Sequence, residues 1–394
     1  MSYSRYRGGD LTTPTAPTPL TESSISFGPI GDDGEPSHIY YNMTLRNQDT
    51  GGTRVKRPAT FQDYRISPIV NNPSKYYLSV IRWYAPTSTI PIQVVPIAPF
   101  PNTNPNLTTY SVTLSYNGAD YVQNVIWEPV DLSATVPNPL SASSPLQDVS
   151  TSYYYLYSYY HLLNLINKSL AAALAALVAA NAPLVGLVAA PLLNYNPASS
   201  LFSISAQKTY YDLNTDTPIS IYINNNLQSL LLCFDYRYFG NGAVNGKAWE
   251  FNMIVDGVND VDNPLIVLQQ EVSSLAAWSS LASLVFISNS IPVIAESMPP
   301  SVAFGADTVS GATAPSTASI LTDFLASGAD TRVSLQYAAN GVYRMLDLQS
   351  DRPMMSADVS IMWQDIYGNM YPLLLDSNTA ATIKILFRKK SLGI

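Results

Sequence analysis

The 394-residue sequence is short of the residues that do chemistry: it has one cysteine and two histidines. A single cysteine, Cys233, excludes an intramolecular disulfide and fits assembly in a reducing compartment. Its setting, Leu230-Leu231-Leu232-Cys233-Phe234, predicts a buried thiol acting as a small hydrophobe. His38 and His161 are too few for an ordinary zinc centre, which draws on several Cys or His ligands. No G-x-S-x-G turn, phosphate-binding loop or dinucleotide glycine pattern occurs. Asp256, Asp260 and Asp262 alternate with Asn259 and Asn263, but not at the spacing of a calcium-binding EF-hand loop, so a polar loop is the reading there. These absences disfavour a hydrolase or other enzyme, and no cofactor or metal is expected.

Charge is also scarce. Charged residues make up 12% of the chain, about half of the ~25% usual in soluble domains. The surface therefore relies on Ser, Thr, Asn, Gln and Tyr. Such a surface suits a protein covered by neighbours, since few solvated charges must be stripped on contact. The formal net charge of −8 argues against specific nucleic-acid binding, which needs clustered Lys and Arg. The basic exceptions sit at the two ends. Arg5 and Arg7 lie in the first, and Arg388, Lys389 and Lys390 in the second; they are candidate partner contacts, with solvated tails as the plainer account. Met1-Ser2-Tyr3-Ser4-Arg5 leads into a polar stretch, so no secretory leader is expected.

What is present is β structure. Hydrophobic residues make up 47%, enough for a substantial core. Residues 1–36 read as an extended arm, with Thr12 to Pro19 rich in proline, that orders against a neighbouring subunit. Strands begin near His38. Tyr76 to Tyr84 is β-branched and aromatic and stops at Pro86, which places Tyr77, Leu78, Val80 and Ile81 in a sheet. Tyr110 to Tyr116 alternates with period two, Asn117-Gly118 favours a tight turn, and Tyr121 to Trp127 returns. After a Pro/Ser-rich connection, Leu156, Tyr159, Leu163, Ile166, Leu170, Leu174 and Leu177 step by three and four. An amphipathic, alanine-rich helix is predicted, with Asp148, Ser150 and Thr151 as capping candidates and Pro183 as its end. Its charge-free continuation to Leu193 is long enough for a bilayer. Pro183 and Pro191 interrupt it, however, and no basic flank anchors it; no membrane span is expected. Tyr153 to Tyr160 holds six tyrosines within eight residues, and Tyr153 and Tyr157 are candidate partner contacts because Tyr is enriched at interfaces. Strands resume afterwards, Leu230 to Phe239 reading as a long one, with a short helix over Leu275 to Leu281. Many short strands with one or two helices indicate an all-β sandwich or jelly roll.

Three stretches, in order, resemble the penton (vertex capsid) proteins of virophages and polinton-like double-stranded DNA viruses. The first is Asn72 to Pro91, a strand with an Ile90-Pro91 exit. The second is Gln270 to Val293, a short tryptophan helix around Trp278 feeding a strand and an Ile291-Pro292 stop. The third is Met345 to Leu348, then Asp358 to Leu373 with its Gly368-Asn369 turn, and Ile383 to Lys390. The resemblance implies a jelly-roll capsid domain with an inserted region; the domain is placed at 37–128 and 201–394, and the partly helical stretch 129–200 is either that insertion or a lineage-specific addition. It also implies a homopentamer closing icosahedral five-fold vertices, contacts with the major capsid protein and other minor capsid proteins, and a place in the virion after assembly inside the host cell. The alternatives are a receptor- or glycan-binding spike module and a minor capsid protein at another position.

Overall fold

Alternation of apolar and polar residues sets most of this fold, shown by a computed structural model. It describes residues 20–48, 55–132, 134–149, 151–240, 246–257, 263–294, 296–298, 316–326, 333–338 and 344–390. Arg5 and Arg7 lie outside these residues, as do Asn259, Asp260 and Asp262.

The strand His38–Asn47 alternates strictly, burying Ile39, Tyr41, Met43 and Leu45. It lies between Leu20–Phe27 and Thr379–Lys389, and the latter pairs in turn with Tyr76–Pro86. Ser334–Ala338 and the short Leu346–Asp347 flank the far side of Tyr76–Pro86. A second six-stranded sheet runs Glu296–Met298, Ser316–Leu325, Leu281–Ser288, Ser356–Asp365, Met370–Pro372, with Thr60–Tyr64 also on Ser356–Asp365. All these pairings are antiparallel. The two sheets face each other over one core, and the Trp83 ring lies 5.4 Å from Phe286 and 5.1 Å from Phe324 across it.

Tyr76–Pro86 carries a bulge that the sequence pattern does not reveal. Arg82 opposes Lys384 and Val80 opposes Ile385, leaving Ile81 as the extra residue. The inward set accordingly switches from Tyr76, Leu78 and Val80 to Trp83 and Ala85, as a bulge re-aims the residues after it. The expected strand is present, with Leu78 and Val80 buried, Ile81 half-buried and Tyr77 facing outward.

A second core gathers buried residues from Ile92 to Trp278. It holds a five-stranded sheet around Leu107–Tyr116 and Ala119–Ile126, a three-stranded sheet of Leu192–Asn196, Leu201–Gln207 and Leu265–Gln269, and the helix Tyr159–Ala180. The insertion expected at 129–200 is thus too short, because the strands on both sides of it share this core and not the first. Period-two patterning marks a strand without saying which sheet it joins. The expected hairpin forms, with Asn117 at φ 50° and Gly118 at φ 80°, the positive pair that its turn type requires.

The helix starts later than the sequence pattern suggests. Tyr153 and Tyr154 sit in a 3-10 turn capped by Thr151, whose hydroxyl accepts from the Tyr153 N–H, and Ser158 precedes the helix proper. Tyr159–Ala180 is, among the described residues, the one helix apolar and long enough to cross a bilayer; half of its apolar window is buried. Leu162, Leu163, Ile166, Leu170, Ala173 and Leu177 pack into the second core. Ala173 has no exposed surface, consistent with close packing on the hairpin strands.

Three further expectations are corrected. Leu230 to Phe239 is not one strand: Asn224 caps a helix, Asn225–Leu230, a turn follows, and only Tyr236–Tyr238 is extended. Cys233 lies in that turn at φ 67° and is exposed, not buried. Of the arm expected over residues 1–36 to order against a neighbouring subunit, Leu20–Phe27 pairs along its whole length with the chain's own His38–Asn47, and residues 1–19 lie outside the described residues.

Candidate interaction surfaces

The basic C-terminal residues turn back onto the chain itself. Lys389 forms an ion pair with Asp33, which Lys75 approaches at 3.4 Å. Lys390 pairs with Asp347, donates to the Ser74 carbonyl at 2.5 Å, and lies 5.3 Å from the Tyr77 ring centre. The Tyr76 hydroxyl donates to the Pro36 carbonyl at 2.8 Å. The hydrogen bond from Lys389 holds the Asp33 carboxyl down to about 2. This network fastens the Gly31–Pro36 turn, the Pro73–Lys75 turn and the last strand together. Of the three basic candidates only Arg388 is exposed; Lys389 and Lys390 are clamps within the chain.

The tyrosine run is mostly core. Tyr153, Tyr154, Tyr155 and Tyr159 are buried. Tyr153 donates its hydroxyl to Asn106 Oδ1 at 2.8 Å, and its carbonyl accepts from Trp127 Nε1 at 2.8 Å. It is therefore not a partner contact on the outer surface. Burial pushes the hydroxyls of Tyr154 and Tyr157 well above the usual phenol range. Tyr157 is half-buried at the join between the two cores, its hydroxyl 3.4 Å from the Thr89 carbonyl and its ring 5.6 Å from Lys56 Nζ. A run of tyrosines does not by itself separate core from contact surface, because aromatics serve both.

Other polar groups hold turns. Asp358 accepts from Ser288 Oγ at 2.8 Å, Ser290 Oγ at 2.6 Å, Ser290 N at 2.7 Å and Asn289 N at 3.0 Å. Burial opposes its ionisation, but these donors outweigh it and keep the carboxyl below the usual range. They pin the turn leading to Ile291-Pro292, whose Ile291 is buried. Buried Asp365 accepts from the N–H groups of Tyr367 and Asn369, from Asn369 Nδ2 and from the Tyr371 hydroxyl. It thereby closes the Gly368 turn, where φ is 88°. Trp363 stacks on Tyr371 beside it at 4.1 Å. Trp278 is buried on Phe202 at 5.0 Å and donates to the Leu230 carbonyl at 2.8 Å. Among the described residues no three His, Cys, Asp or Glu side chains gather as a metal site.

Two antiparallel sheets over one core, joined by a second, partly helical core, define a β-sandwich protein whose polar side chains hold turns and strand ends. The chain belongs to the Sputnik minor capsid protein V18/19 family, whose model matches residues 39–389. "Structural protein V19" of Sputnik virophage is 28% identical over 211 residues, covering 50% of this chain and 94% of the relative. "Uncharacterized protein V18" of the same virophage is 41% identical over 161 residues, covering 39% of this chain and 94% of the relative. A chain of the 3.5 Å cryo-EM structure of the Sputnik virophage superposes with a TM-score of 0.78 at 31% identity, over 91% of this chain and 99% of that one. The mavirus penton protein crystal structure superposes with a TM-score of 0.60 at 18% identity, over 90% and 99%. The chain is a virophage minor capsid protein, a non-enzymatic component of the virion. The alternative of a free-standing spike module gives way to that assignment.

Proposed function

We propose that five copies of this chain form a ring that closes the five-fold vertices of an icosahedral capsid, with the barrel ends meeting the major capsid protein. The supporting observation is the strand order. With His38–Asn47, Thr60–Tyr64, Tyr76–Pro86, Leu281–Ser288, Ser316–Leu325, Ser334–Ala338, Ser356–Asp365 and Thr379–Lys389 numbered 1 to 8, the first core has one sheet of order 1-8-3-6 and another of order 2-7-4-5. That is the order of two Greek keys folded into a jelly roll, and the second core is inserted between the third and fourth strands. The mavirus penton protein shares the fold. Closing a ring requires each copy to offer two different patches, and a chain with only 12% charged residues has few solvated charges to strip on contact. The purified chain should run in native mass spectrometry at five times its 42.9 kDa. A persistent monomer or a trimer overturns the vertex reading.

A further inference from the structure

The outer face of the first sheet runs against the charge of the chain. The residues that alternate with the buried sets of His38–Asn47, Thr379–Lys389 and Tyr76–Pro86 point away from the core, and Arg46, Lys384, Arg388 and Arg82 are among them. They are four of the 20 basic residues of a chain whose formal net charge is −8. Among the described residues, the strands of this sheet carry two acidic side chains, Glu22 and Asp347. Both are already ion-paired, Glu22 with Arg46 at 3.3 Å and Asp347 with Lys390. Arg82, Lys384 and Arg388 have no ion-pair partner among the described residues.

Arg82 and Lys384 stand directly opposite each other on neighbouring strands, at the bulge. Like charges in that position destabilise a sheet, and neither side chain belongs to the core. Lys384 Nζ sits 4.4 Å from the Tyr40 ring centre, a contact that attracts the ammonium without neutralising it. Arg388 lies four residues further along the strand, about 13 Å at ~3.3 Å per residue, and opposite Tyr77. Tyr77 is 37% exposed and Tyr84 39%. Unneutralised cations strung along two strands suit an anion of repeated charge better than a single small one. The exposed rings favour a nucleic-acid strand over an acidic peptide, because bases stack on aromatic side chains. The negative net charge averages over the whole chain, whereas strand register gathers these cations on one face.

We infer that this face holds a single nucleic-acid strand without sequence preference, its phosphates on Arg82, Lys384 and Arg388 and its bases against Tyr77 and Tyr84. The inference does not depend on the ring reading above.

Fluorescence anisotropy of a labelled thymidine oligonucleotide of about 16 nucleotides, titrated with the purified full-length chain at low salt, tests it. Binding should weaken with salt, with a slope of about −2 in log affinity against log salt for three phosphate contacts on a single strand. The triple variant Arg82→Gln, Lys384→Gln, Arg388→Gln should bind at least about tenfold more weakly and with a flatter slope. Its thermal melt should be unchanged or higher, because the like-charge pair is gone; Lys384→Gln alone is the milder second variant, with the same direction in each readout. Tyr77→Ala with Tyr84→Ala should weaken binding and leave the slope unchanged, since stacking releases no counterions. Lys168→Gln, in the second core, should bind like the wild type. A wild-type chain that does not bind the oligonucleotide overturns the inference, as does binding that the triple variant retains. Poly-glutamate held as tightly as the oligonucleotide would assign the face to an acidic protein partner instead. A changed native mass of the triple variant would assign it to a contact between copies of this chain, and either result overturns the nucleic-acid assignment.

Discussion

At the residue scale, the carboxylates of this chain hold structure together. Asp358 gathers two hydroxyls and two backbone N–H groups around one side chain. Hydrogen bonds to a charged group contribute about 1.5–3 kcal/mol, and truncation leaves the donors unmet. Asp358→Ala should therefore cost about 2–4 kcal/mol, measured by chemical denaturation. Asp33 sets a pH dependence. Its folded-state value is depressed to about 2 by the Lys389 hydrogen bond, so the clamp stabilises the chain above the unfolded value of about 4 and is lost as pH falls through 2. NMR titration of Asp33 should show a midpoint below 3, and Lys389→Gln should raise it. Cys233 shows where residue-level reading fails. Its apolar neighbours predict burial, but the chain turns there at positive φ and exposes it. One equivalent of thiol should react with an aromatic disulfide reagent in the native protein.

At the element scale, what was legible depended on local rules. Asn117-Gly118 identified its hairpin because only a few residue pairs tolerate two positive φ angles. The helix was visible as a three-four period, but its start was misplaced because the tyrosines before it are buried in a 3-10 turn and a short strand. The bulge at Ile81 left no trace, since the extra residue is itself a good strand former. Leu230 to Phe239 failed for the reason short apolar runs usually do: length and hydrophobicity do not separate a buried helix end from a strand. The helix is the clearest element to test. Leu163 is buried among the strands of the second core, so Leu163→Ala should destabilise it by roughly 2–5 kcal/mol through lost contacts and a cavity. A melt unchanged by that substitution would mean the helix does not pack as described.

At the scale of the whole molecule, the family was legible from three ordered stretches, and the match over residues 39–389 confirms that level. The partition into two cores was not. Both cores are built of alternating strands, and only long-range pairing assigns Leu107–Tyr116 to one and Leu281–Ser288 to the other. Nor do the sequence neighbours of Tyr153, Lys389 and Lys390 reveal that these side chains have partners within the chain, in Asn106, Asp33 and Asp347. The central claim is that this minor capsid protein sits as a five-membered ring at the vertices. A cryo-EM reconstruction of the particle tests it most directly. The account predicts density for this two-core chain around each five-fold axis, five copies per vertex, with neighbouring sandwiches in contact through unlike sides. Density for it on the flat facets, or five-fold axes occupied by another protein, would contradict it.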